Sequence, residues 1–168
     1  MKNGQKPDKV SLFIENAEKA ASITHLIGEN EKPAGRIMEL LPKGAVVYCP
    51  RATKLEKAAS GRIAGHTDDF GLATVTIREV SAAIAETGSL VCDSGDGRAV
   101  QATLLPEHHI AIVPREKIFA TFEEYFATVS SPPPTNITFI TGPSRTTDIE
   151  LEEIIGVHGP ARLDIIIV

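Results

Sequence analysis

Apolar positions along the chain recur with two periods, and the change from one to the other divides it. Val10, Phe13, Ile14, Ala17, Ala20, Ala21 and Ile27 recur at helical spacing, which predicts one amphipathic helix over residues 10–27, closed by Gly28. Pro33 stands where a first helical turn begins. Ile37, Met38, Leu40 and Leu41 follow it, and Pro42 ends this second, shorter helix. From residue 45 onward the pattern changes to apolar or β-branched runs of strand length, at 45–49, 72–77, 109–113, 137–141 and 163–168. Residues 84–92 read as a further strand, bent at Gly88.

The segments between these runs predict short helices and turns. Thr53 and Glu56 have the spacing of a capping box, for a helix ending near Gly61. Residues 61–70 read as a polar loop and 78–83 as one helical turn. A tight glycine-rich turn at 93–97 precedes a short helix at about 98–105. Residues 119–129 and 147–155 read as helices, 130–134 as a proline-rich linker and 156–160 as a loop. Strands alternating with short helices predict an α/β fold, a mainly parallel sheet flanked by helices. The runs at 45–49, 109–113, 137–141 and 163–168 are expected to share that sheet, with 137–168 as its clearest strand–helix–strand unit. The whole chain, 1–168, reads as a single domain with a helical N-terminal part (1–44) and an α/β core (45–168).

Composition narrows the function classes. A 168-residue chain that is 42% hydrophobic has material for one core. A net charge of -5, with no run of basic residues, leaves no electrostatic footprint for nucleic acid or for an anionic membrane surface. Aromatics are 5% and Trp is absent, so base-stacking platforms are not expected. No apolar run approaches the ~20 residues that span a bilayer, and the polar N-terminus lacks the core of a signal peptide, so a cytoplasmic protein is expected. Cys49 and Cys92 each follow an apolar run without a second thiol nearby, which predicts two buried thiols in a reducing compartment. None of His25, His66, His108, His109 and His158 joins another ligand at metal-binding spacing, so no metal is expected.

Three segments carry candidate chemistry. In the first, the strand at 137–141 runs into Gly142, Pro143, Ser144, Arg145 and Thr146. In an α/β sheet such a turn is expected at the carboxyl end of a strand, where ligands bind. Gly142 allows close backbone approach, Ser144 and Thr146 supply hydroxyls, and Arg145 supplies a fork for carboxylate or phosphate. Thr147 and Glu150 also fit a capping box, and the alternative is a well-capped structural turn with Arg145 paired to Asp148 or Glu150. The second segment is Glu86, Thr87 and Gly88 within an apolar strand. There Glu86 is a candidate nucleophile or acid/base, or an ion-paired residue beside a bulge glycine. The third is the turn at 94–98, where Gly95 and Arg98 can present donors to an anion or simply form a surface turn. His158, on the loop before the last strand, is placed to face the rim of the Ser144 loop.

The strings Ile84-Ala-Glu-Thr-Gly-Ser-Leu-Val91, Leu104-Leu-Pro-Glu-His-His-Ile-Ala-Ile-Val-Pro114, Ile137-Thr-Phe-Ile-Thr-Gly-Pro-Ser-Arg-Thr-Thr-Asp-Ile-Glu150 and Gly156-Val-His-Gly-Pro160 stand in the order and spacing of the lactate-utilisation protein C (LUD-domain) family, which this chain resembles over about residues 72–168. The resemblance implies a fold like that of the CoA-transferase, ribose-5-phosphate isomerase and formyltetrahydrofolate cyclo-ligase group. It also implies bacterial lactate catabolism, the oxidation of lactate to pyruvate, beside partner proteins that carry iron–sulfur clusters. Such clusters are held by cysteines, and two cannot hold one. The chain is therefore expected to be an accessory or anion-binding subunit without a cofactor of its own. The alternatives are an autonomous CoA-transferase-like enzyme with Glu86 as nucleophile, and a structural interaction protein. A homo-oligomer is compatible with any of them.

Overall fold

The computed structural model describes residues 8–28, 30–97, 99–147, 153–155 and 159–168. The first helix, α1 (Lys9–Lys19), is shorter than its pattern suggests. Ala21, with φ of 64°, turns the chain, and Ile23–Leu26 forms strand β1 rather than more helix. Helix α2 (Pro33–Leu40) begins at its proline as expected. Strand β2 (Val47–Tyr48) leads to α3 (Lys54–Ser60), whose capping box is complete: the Glu56 amide donates to Thr53 Oγ1, and Glu56 Oε2 accepts the Thr53 amide. The other Glu56 oxygen accepts the backbone N–H of Glu79, so one buried carboxylate caps a helix and ties it to a strand. The expected polar loop contains the short strand β3 (His66–Thr67).

Strand β4 (Val75–Glu79) is followed by β5 (Ala82–Ile84), and no helical turn intervenes. Strand β6 (Ser89–Asp93) pairs antiparallel with β5, so the expected bent strand is a hairpin that reverses over 85–88, with Gly88 at φ 68°. Strand β7 (His108–Val113) is buried throughout. After it come β8 (Ile118–Phe119), a helix of only five residues, α4 (Phe122–Phe126), and β9 (Ile137–Ile140). Where a helix is expected over 147–155, the described residues are extended: β10 (Arg145–Thr147) pairs antiparallel with β11 (Glu153–Ile155), and residues 148–152 lie outside the described residues. Thr146, Thr147, Ile154 and Ile155 are β-branched and favour the extended chain. Strand β12 (Arg162–Ile167) ends the fold.

Among the described residues these strands form a six-stranded parallel sheet in the order β1-β12-β7-β4-β2-β3 and a four-stranded sheet β8-β5-β6-β9, beside the β10-β11 pair. The α/β architecture with a mainly parallel sheet is as expected, and β2, β7 and β12 lie in it. Residues 137–141 do not: β9 pairs antiparallel with β6 in the smaller sheet, so 137–168 is not a strand–helix–strand unit. Side chains alternate across the large sheet. One face packs Ile77, Ile110, Ile112 and Ile166 against α2 and α3, and the other packs Ala111, Val113, Leu163 and Ile165 against α1 and the smaller sheet. Cys49 and Cys92 are buried and not joined by a disulfide.

Candidate functional site

The structure brings two of the three candidate segments together. Thr87 Oγ1, Ser89 Oγ and Thr141 Oγ1 form a chain of hydroxyls with both links at 2.7 Å, which ties the β5–β6 turn to the start of the Gly142 loop. Both segments press on the last turn of α1. A Cβ added at Gly142, where φ is 81°, would lie 2.0 Å from the Ala20 carbonyl oxygen. One added at Gly88 would lie 2.2 Å from the Ala17 nitrogen. Asn16 Nδ2 completes the contact by donating to the carbonyls of Ala85 (2.8 Å) and Glu86 (3.2 Å). The Ser144 amide donates to Pro160 O at 2.9 Å, so the loop before β12 joins the same cluster. At these two glycines, backbone packing is what requires the missing side chain.

The loop follows the carboxyl end of its strand as expected, but that strand, β9, lies in the smaller sheet. Ala20 precedes β1 and Pro160 precedes β12, so residues 142–144 stand at the amino ends of the large sheet's strands. Arg145 and Thr146 run from the loop into β10, paired in register with Ile155 and Ile154. Glu86 is exposed on the hairpin turn, and its Oε1 accepts the Phe122 amide at 2.7 Å, a cap on α4. Gly95 is not part of the cluster. Its amide donates to Asp93 Oδ1 in a local turn at the far end of β6. Arg98 and His158 lie outside the described residues, as do Asp148 and Glu150.

Sequence reasoning missed a charged network at the same amino-terminal edge. Asp164 is fully buried in β12. Its two oxygens lie 2.7 Å from His25 Nε2 and 2.7 Å from His108 Nε2, and Arg162 Nε donates to it at 2.6 Å. Burial alone would raise the Asp164 carboxyl, but the hydrogen bonds from His108, Arg162 and His25 outweigh it and hold the group well below the usual carboxylate range. One signal was available: an aspartate between Leu163 and Ile165 in an otherwise apolar strand. The neighbouring His109 points to the opposite face. It is fully buried, and neither ring nitrogen has a hydrogen-bond partner among the described residues. Burial first, and then the charges of Arg78 and His108, push its pKa down to about 3, so it is neutral.

The carboxyl-terminal edge of the large sheet is more open. A cleft of about 350 Å³ lies between Ile27, Gly28, Arg115 and Val168, past the ends of β1, β7 and β12. A second, of about 290 Å³, lies beside Lys117, Tyr125 and Asp93. Lys117 Nζ reaches the largely buried Glu79 at 2.7 Å. An apolar cleft of about 470 Å³, walled by Met38, Leu41, Val46 and Ile63, lies away from both groups.

The sequence model of the LUD domain matches residues 54–168. The chain is similar to the lactate utilization protein C of Halalkalibacterium halodurans, with 38% identity over 91 residues, 51% of this chain and 40% of that protein. It is also similar to the lactate utilization protein C of Exiguobacterium sp., with 35% identity over 102 residues, 57% of this chain and 44% of that protein. The chain thus aligns with less than half the length of these curated relatives. Among solved structures, a DUF162 family protein from Deinococcus radiodurans superposes with a TM-score of 0.72 over 95% of this chain and 96% of that one, at 22% identity.

Proposed function

The chain belongs to the LUD domain family, and on that premise we propose that it takes part in bacterial lactate utilisation as a subunit that binds a small carboxylate and carries no iron–sulfur cluster of its own. The similarity to proteins named lactate utilization protein C supports the process. Both cysteines are buried, which supports placing any cluster on partner proteins. In this reading the protein works in the cytoplasm. Among the described residues no helix is long and apolar enough to cross a membrane.

The observation that carries the ligand site is the hydroxyl chain Thr87–Ser89–Thr141. With the Ser144–Pro160 hydrogen bond, it gives the signature loop a rigid base from which Arg145 and Thr146 depart. Arg145 is the proposed anion contact, with Ser144 and Thr146 beside it. A charge-assisted hydrogen bond contributes ~1.5–3 kcal/mol, so Arg145→Ala should weaken pyruvate binding by about 10- to 100-fold in calorimetric titration.

A second reading has its own observation. Gly88 and Gly142 both meet the backbone of α1, which favours a loop that serves architecture, in a protein whose role is interaction. In that case Arg145→Ala lowers the melting temperature and leaves pyruvate binding unchanged. CoA-transferase-like chemistry would need Glu86 for acyl transfer, and its carboxylate already accepts the Phe122 amide.

A further inference from the structure

The smaller sheet turns Ala83, Leu90 and Cys92 toward the large sheet and Ala82, Ile84 and Val91 toward α4. Strand alternation carries Asp93, two residues after Val91, to that same outer face. There, at the end of β6, a cleft of about 290 Å³ opens between Asp93, Lys117 and the aromatic wall of Phe119 and Tyr125. The two rings meet edge to face, with centroids 5.7 Å apart, and Val129 extends the apolar wall.

Asp93 lines this cleft as a carboxylate without an ion-pair partner among the described residues. Its Oδ1 accepts the Gly95 amide at 2.9 Å, which fixes the group and leaves the other oxygen for the cleft. The buried Arg78 behind it donates to the Asp93 backbone carbonyl at 2.7 Å. Lys117 is held at 2.7 Å by Glu79, and Glu116 is exposed at the rim, so acids outnumber bases around the opening. Tyr125 is buried, and its hydroxyl has no hydrogen-bond partner among the described residues. Burial first, and then the charge of Asp93, raise the phenol above its ordinary value, so it stays protonated.

We propose that this cleft binds a small organic ammonium ion, a primary amine with a short apolar body, whose ammonium sits on the Asp93 carboxylate and whose body lies against Phe119, Tyr125 and Val129. The carboxylate supplies a charge-assisted hydrogen bond, the ring faces attract a cation, and the phenol oxygen accepts a further N–H. A carboxylate ligand would be repelled by Asp93 and Glu116. A hard metal ion wants six or more oxygens, and the aromatic wall offers it none. The site is separate from the signature loop and from the carboxylate proposed to bind there.

The test is amide chemical-shift mapping on the full chain at neutral pH, titrated with n-propylammonium chloride and, at matched ionic strength, with sodium propionate. The expected result is saturable shifts at Ala82, Asp93 and Phe119 with the amine and none there with propionate. Asp93→Asn, whose amide oxygen can keep the Gly95 bond, should weaken amine binding by about tenfold or more. Glu123→Gln, which removes an exposed acid of α4 outside the cleft, should leave it unchanged. If Asp93→Asn does not fold, the native chain decides: saturable shifts with the amine alone support the site. No shift at these positions, shifts that rise without saturating, equal shifts with propionate, native affinity in Asp93→Asn or an equal loss in Glu123→Gln overturns it. A pyruvate titration followed at residues 142–146 reads the proposed function separately, so either site can fail while the other stands.

Discussion

The two edges of the large sheet use polar residues differently. At the amino-terminal edge, two glycines, three hydroxyls and a buried aspartate are satisfied within the protein: Gly142 and Gly88 by α1, the hydroxyls by one another, Asp164 by two histidines and an arginine. At the carboxyl-terminal edge, Arg51 leans on an imidazole and clefts remain open. Two of the recognisable strings meet at the first edge, through Thr87 and Gly88 in one and Thr141 to Ser144 in the other. A string that identifies a family can therefore also record how the chain is held together.

The sharpest way to break this comparison is to put a methyl group at Gly142. A residue with a Cβ at positive φ costs about 1–2 kcal/mol, and overpacking against backbone adds about 1–3. Gly142→Ala should therefore destabilise by about 4 kcal/mol in urea denaturation, or fail to fold. Gly44→Ala is the control. It also has positive φ, but its Cβ would meet nothing within 4 Å, so the loss should be about 1 kcal/mol. Equal losses at the two positions would show that α1 does not clamp the loop.

Next in size is the buried aspartate. Asp164→Asn leaves His25, His108 and Arg162 without their carboxylate and should cost about 3 kcal/mol. Because the folded pKa is lowered, the stabilisation is present above the ordinary carboxylate range near pH 4 and is lost as pH falls through the folded value. A variant with the native stability and acid profile would remove the network from the account.

His109 gives a smaller, pH-dependent effect. Unfolded, its imidazole titrates near 6.5, and folded it stays neutral down to about 3, so its stabilisation is complete above pH 6.5 and declines as pH falls toward 3. The slope is at most about 1.4 kcal/mol per pH unit, or about 2 kcal/mol between pH 6.5 and pH 5. His109→Leu should flatten that part of the stability curve, and an unchanged slope would show that another group dominates it. The smallest expected effect is at Glu86. Losing its bond to the Phe122 amide should cost at most about 1 kcal/mol, so Glu86→Ala should barely move the melting point. A large loss of catalytic turnover in that variant would restore the nucleophile reading.

Much of the fold was legible where the local signal and the tertiary outcome agree. Pro33, the Thr53–Glu56 capping box and the apolar runs of β2, β7 and β12 act over a few residues and read directly. Strand β1 did not, because Ile23, Leu26 and Ile27 also fit the helical period and only pairing with β12 decides between the two. That partner is remote, since His25 and Asp164 are 139 residues apart. At β10 a well-spaced cap after the Arg145 loop imitated a helix start, while the β-branched residues carried the correct signal. The clustering of Thr87, Gly88 and the 142–144 loop was half legible: the segments were recognised, but the helix end that joins them was not.

Helix α1 and strand β1 find their main partners in the second half of the chain: Gly88, Gly142 and the final strand β12. During synthesis these elements must therefore wait. Phe13 and Ala17 stay uncovered until the hairpin and the Gly142 loop emerge, and among the described residues β1 pairs only with β12. Closure of the domain thus depends on contacts of high sequence separation, which slow folding. Loss of residues from either end should open the same seam.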